Sequence, residues 1–335
     1  MNRRIVLIVL GMAYASVARA EMPAALLEML ASPEVPSSAR AEAEAGGAPV
    51  WVLERDTGSQ QLTVVGVVGL SGAPARVADD LFGKNALLDA DVLKAAGSFS
   101  DPAVPGDVAR YQVPESDLEV LVDCETHTCK FKLGDPALKQ LGAIDWSAPD
   151  ARRKVDALMQ RRMVEVVAAY QKEGRAALGR YVDKPGALSV TEATGMLLDQ
   201  MKAKPVVEKV RTHLAGYPAS RLPGARDRMH WNVRDHGYRP VTSIVHTVVF
   251  DPGAGEPARL VAAETLYSSH YFYARLQLLG LYPDTADPKQ TYALYADRLL
   301  FDDKVGSVQR RLLRSSVVDD LRKQLSKVGA SYRSP

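Results

Sequence analysis

The chain has 335 residues, 47% of them hydrophobic and 24% charged, with two cysteines and 42 basic against 40 acidic side chains. These proportions exclude a collagen-like, a disordered, a disulfide-dense and a polytopic membrane protein. A formal charge of +2 is weak ground for a nucleic-acid partner, which needs many cationic phosphate contacts.

Asn2-Arg3-Arg4, the apolar run Ile5 to Leu10 and the small residues Ala18 and Ala20 form the three-part pattern of a secretory signal peptide. The apolar run is too short for a permanent span, so cleavage after Ala20 and a periplasmic or secreted product are expected. Loss of Arg3, Arg4 and Arg19 takes the formal charge from +2 to −1. Residues 21–49, rich in Ala, Glu, Pro and Ser, read as a mobile N-terminal segment with a short helix at Ala24 to Leu30. A β-branched strand is predicted over Gln61 to Val68, and a helix over Ala75 to Phe82 with Pro74 at its first turn.

Residues 92–133 alternate turn signals with short apolar runs and predict more antiparallel sheet. They end at Cys124 and Cys129, between the strand-like runs Leu118 to Val122 and Phe131 to Leu133. Two cysteines this close across a turn, in an exported protein, read as a hairpin-tip disulfide. The competing reading, a metal site of Cys124, His127 and Cys129, lacks a fourth ligand and the usual Cys-x2-Cys spacing. From about 147 to 232 the apolar positions recur at helical spacing, as in Val155, Leu158, Met159, Val166, Val167 and Tyr170. Ser189 and Glu192 match a capping box, and Val206, Val207, Val210 and Leu214 mark another helix.

Sheet returns at Val241 to Phe250, in a long strand from Arg259 to about Leu279, and at Thr291 to Asp297. Leu313, Val317, Leu321, Leu325 and Val328 then form the single apolar stripe of a long C-terminal helix, which must be buried. The fold class is α+β: an antiparallel sheet and a long last helix, with residues 50–335 as one domain and the helical block as an insertion.

Two stretches, Val64 to Val77 and His246 to Leu325, resemble the START/polyketide-cyclase-like (helix-grip) superfamily. That resemblance implies a curved sheet wrapped around the last helix, with an apolar cavity between them. Asp123-Cys124, Cys129-Lys130, Asp145 to Asp150 and Ser268 to Phe272 resemble a family of exported bacterial proteins.

Common hydrolase and nucleotide-loop signatures are missing, and nothing points to a cofactor or a bound metal. If Phe250 pairs with Ala258, His246 opposes Ala262, Glu264 is its diagonal neighbour, and His270 lies further along that face. A histidine beside a carboxylate in a partly dry cavity can serve as a general base or anchor a headgroup. The plainer reading is a hydrogen-bonded core pair. Tyr267, Ser269, His270, Tyr271 and Tyr273 are candidate ligand contacts, although a tyrosine row also packs helices. His230 and His236 lie near Trp231 without diagnostic metal spacing. From Lys304 to Pro335 there are eight basic and two acidic residues, which suit either anionic lipid surfaces or solvent.

The expected function is an exported binding protein for a lipid or other hydrophobic small molecule, held between sheet and C-terminal helix. The alternatives are a His/Glu acid–base enzyme of cyclase or hydrolase type, and an envelope assembly protein with a filled core.

Overall fold

The computed structural model describes residues 21–53, 60–84, 92–199, 205–235, 237, 239–253, 257–303 and 307–333. The signal-peptide reading and His236 fall outside the described residues.

β-branched and aromatic segments pair into one curved, open antiparallel sheet. Its strands are β1 (Val50–Val52), β2 (Gln61–Ser71), β3 (Leu93–Ser98), β4 (Arg226–Arg234), β5 (Val241–Phe250), β6 (Arg259–Ser268), β7 (Phe272–Pro283) and β8 (Gln290–Phe301). They lie in the order β1-β2-β8-β7-β6-β5-β4-β3, so the early strand β2 closes against the last one, β8.

One face, the helix face, carries α3 (Pro74–Phe82) and α9 (Ser307–Arg333). Val77 and Leu81 of α3 and Leu321 and Leu325 of α9 pack there with Val64, Val68, Val249, Val261 and Leu279. The apolar stripe of α9 is thereby buried, as its spacing predicts. Gly66 lets that helix approach, since a Cβ at this position would overlap the Leu325 side chain.

The opposite face is covered by helices from both ends of the insertion and by the N-terminal segment. Residues 21–49 are not the mobile connector expected from composition. Leu26 and Leu30 of α1 (Ala24–Leu30) and Ala39 and Ala43 of α2 (Ser37–Glu44) pack on Trp51, Val65 and Val67.

The insertion begins earlier than its periodicity suggests and ends earlier too. Of the strands expected in 92–133, only β3 forms. Leu118 to Val122 belongs mostly to α4 (Glu115–Leu121), which Pro114 precedes and whose first turn holds Glu115 and Asp117. After it come α5 (Asp135–Gly142), α6 (Ala151–Glu173), a 3-10 turn at Gly174–Leu178, α7 (Val190–Asp199) and α8 (Pro205–Gly216). The helical block stops before β4, so residues 226–232 are strand. The Cys124–Cys129 disulfide is present, but it closes a loop after α4 and not a hairpin.

The long strand expected over 259–279 is two strands joined by a tight turn at Ser269, His270 and Tyr271. Ser268 Oγ donates to His270 O at 2.8 Å, and Ser269 Oγ accepts the Thr242 N–H at 3.0 Å. These side chain–backbone bonds replace the ladder, and Tyr271 takes a left-handed φ of 64°.

Candidate functional site

β5 and β6 pair two residues later than expected. Phe250 faces Leu260, and His246 therefore faces Glu264 directly instead of diagonally. A register shift between Ile244 and Val245 then sets Ile244 against Tyr267. His246 and Glu264 are each fully buried beneath α6 and α8.

His246 Nε2 and His213 Nε2 lie 2.8 and 2.7 Å from the same Asp227 oxygen, Oδ1. The Leu222 N–H donates to His213 Nδ1 at 3.0 Å, so the His213 proton is on Nε2 and points at Asp227. His246 likewise donates from Nε2, and its Nδ1 accepts from the Tyr170 hydroxyl at 2.9 Å. Burial raises the Asp227 carboxyl, but hydrogen bonds from both histidines and attraction to their rings hold it well below its ordinary value. Burial, with Glu264 nearby, pushes the Tyr170 phenol well above its own, which keeps it a donor. Tyr217 stacks on Tyr170 at 5.2 Å and lies 4.6 Å from the His246 ring.

The three ligand-type atoms of His213, Asp227 and His246 lie within 4.8 Å of one another. A metal ion would need the Nε2 lone pair of His213, and the Leu222 N–H occupies the only other position that ring has for a lone pair. The donor pattern fits a hydrogen-bonded network and not a metal centre.

Glu264 is bonded to Arg175, whose Nε and Nη2 donate to its two oxygens at 2.9 and 2.5 Å. The pair is buried and bidentate, the strongest geometry available to such groups. A cleft of about 580 Å³ opens above it, walled by Lys172, Arg175, Thr191, Gly195 and Tyr217. With both His246 nitrogens bonded inside the protein and Glu264 fully covered, neither expected acid–base residue reaches that cleft.

The tyrosine row does not survive the turn. Tyr267 donates to Lys132 O at 3.2 Å inside the core, and Tyr273 packs with Leu197 and Leu276 on the next strand. Tyr271 is 40% exposed, and its hydroxyl accepts the Arg239 N–H at 3.3 Å. His270 lies in the turn, with Nδ1 2.8 Å from Lys130 O and Nε2 2.9 Å from Asp117 Oδ1. It is a latch between the sheet, α4 and the disulfide loop, in the turn after β6 and not on the strand face it was expected to share with His246.

A second polar set, absent from the sequence reading, crosses the helix face. Successive register pairs place Arg228, Thr247, Ala263, Gln277, Asp297 and Val64 in one row across six strands. The row above it, Val249, Val261, Leu279 and Tyr295, is mainly apolar. Arg275 pairs with Asp297 at 2.6 Å, and the Tyr295 hydroxyl donates to Asp297 at 3.2 Å. Thr247 is buried and its hydroxyl has no hydrogen-bond partner among the described residues.

The sequence reading missed Asp227, His213, Arg175 and Thr247. Thr247 carried a usable signal, a polar residue between Val245 and Val249 on one face of a predicted strand, whereas Asp227 lies between Arg226 and Arg228 in a segment expected to be helical. His213 and Arg175 carried none, because their partners are set by how the helices dock.

In comparisons with known proteins, no family model matches the chain, and no curated protein matches it. Among the described residues no helix is long and apolar enough to cross a membrane.

Proposed function

We propose that the protein is an exported binding protein for a lipid or other small amphipathic molecule, held between the helix face of the sheet and α9. The observation that carries this reading is the polar row across an otherwise apolar face, with the buried Thr247 hydroxyl left unpartnered. A buried hydroxyl without a partner costs about 1–3 kcal/mol, so a ligand group that satisfies it gains that amount. Apolar neighbours such as Val249, Val261 and Leu279 supply non-directional affinity, while Thr247 and Gln277 orient the headgroup. The helix-grip resemblance supports the same location. Because the row is largely buried, the ligand enters as a covering helix, α3 over β5 to β7 or α9 over β2, lifts from the sheet. Exposed Arg322, Lys323 and Lys327 on α9 give that helix a cationic side for transient contact with anionic lipid. The disulfide is in keeping with export.

Native mass spectrometry of gently purified protein, alone and after incubation with phospholipid and fatty-acid probes, tests the proposal. A retained molecule is expected, with about tenfold weaker retention in Thr247→Val. A protein that is empty and ignores every probe would overturn it.

A further inference from the structure

A buried lysine sits among acids where the insertion meets the end of β8. Lys132 is 2% exposed and forms an ion pair with Asp302, whose side chain is 12% exposed. Asp183 is buried close enough to feel both charges, and its Oδ1 has no hydrogen-bond partner among the described residues. Lys184 Nζ lies 3.8 Å from Asp302 Oδ1. The turn between β6 and β7 fixes two of these segments. Lys132 N donates to Ser269 O at 3.0 Å, and Asp302 N donates to Tyr271 O at 2.9 Å. Asp183 is held next to them because Val182 N donates to Leu133 O at 3.0 Å.

As a salt bridge this arrangement is expensive, because two charges are taken out of water and one acid oxygen stays unsatisfied. An amide between Lys132 and Asp302 removes both charges. We infer that Lys132 and Asp302 are joined by an intramolecular isopeptide bond, formed with Asp183 as the proton carrier.

The step balances without an oxidant or a second reactant. The ammonium of Lys132 gives a proton to Asp183, and the neutral amine attacks Asp302 Cγ. The new C–N bond forms, the nitrogen loses a second proton, and one carboxyl oxygen leaves with both protons as water. Lys184 faces an oxygen that is negative in the tetrahedral intermediate. Burial favours the reactive forms: it lowers Lys132 against the pull of Asp302, and it raises Asp183. Fixed neighbours in one fold give the effective concentration that amide formation needs.

Peptide mapping of the folded wild-type protein tests this. Trypsin should fail to cut after Lys132 and should release Phe131 to Lys139 joined to Leu299 to Lys304, one water lighter than the sum of the two. Lys132→Arg should give only linear peptides, with its fold checked by circular dichroism. Asp183→Asn should sharply reduce the joined species. Wild-type protein that is folded yet yields Phe131-Lys132 and Leu133 to Lys139 as free peptides would overturn the bond. Full joining in Asp183→Asn would overturn the role of Asp183.

Discussion

His246 and Glu264 face each other at one register position of β5 and β6, yet their side chains bond to other partners and not to each other. His246 is held by Asp227 and Tyr170, and Glu264 by Arg175. Two adjacent strand positions thus tie down two separate parts of the insertion: Tyr170 at the end of α6, and Arg175 in the turn after it. The pair that looked like an acid–base couple is a double lock between layers.

Removing one member of the second lock strands a buried charge. Arg175→Met should lower stability by about 3–5 kcal/mol, because Glu264 is fully covered and loses the cation it is paired with. Adding Glu264→Leu to that variant should recover most of the loss. Chemical denaturation of the two single variants and the double variant measures it, and equal stability of all three would refute the lock.

The first lock makes stability depend on acid. A carboxyl whose folded pKa lies below its unfolded value of 3.8 stabilises the protein fully above about pH 4, and this is lost as pH falls toward the folded value. Denaturation midpoints between roughly pH 6 and pH 3 should therefore fall more steeply in the wild type than in His213→Ala. In the same assay zinc or a chelator should leave the midpoint unchanged, since His213 has no lone pair to offer. A rise with zinc would show that Leu222 does not hold that nitrogen.

Reducing the disulfide, or replacing Cys124 and Cys129 by Ser, should cost about 2 kcal/mol, because the loop it closes is short. The melting temperature of oxidised and reduced protein checks the size, and hydrogen exchange should localise the loosening to the loop, α4 and the His270 turn.

Gly66 gives the Leu325 side chain of α9 its seat on β2. Gly66→Val should destabilise by about 1–3 kcal/mol through overpacking against Leu325. Combined with Leu325→Ala the loss should shrink, since the new methyls take the space vacated. If ligand entry requires α9 to lift, Gly66→Val should also release bound ligand faster.

Much of the fold was legible because it is written in local periodicity. The stripe from Leu313 to Val328 requires a covered helix, and the β-branched runs at 61–68 and 241–250 require paired strands. Local patterning also misled at Leu118 to Val122, where the apolar run belongs mostly to α4, whose buried positions are Asp117 and Leu121, four apart. The single continuous strand failed because Ser268 and Ser269 can bond backbone groups themselves, and composition cannot say when they do.

The sequence by itself determined that α9 is buried, that an antiparallel sheet carries it and that the two cysteines have only each other to pair with. These follow from side-chain spacing and residue inventory, which are properties of the chain before it folds. The site was decided by tertiary structure alone. Two residues of register brought His246 opposite Glu264, and the docking of α8 brought His213 to Asp227. Hydrogen bonds are directional and short, so a shift that leaves the apolar burial of a strand intact still exchanges every polar partner it has.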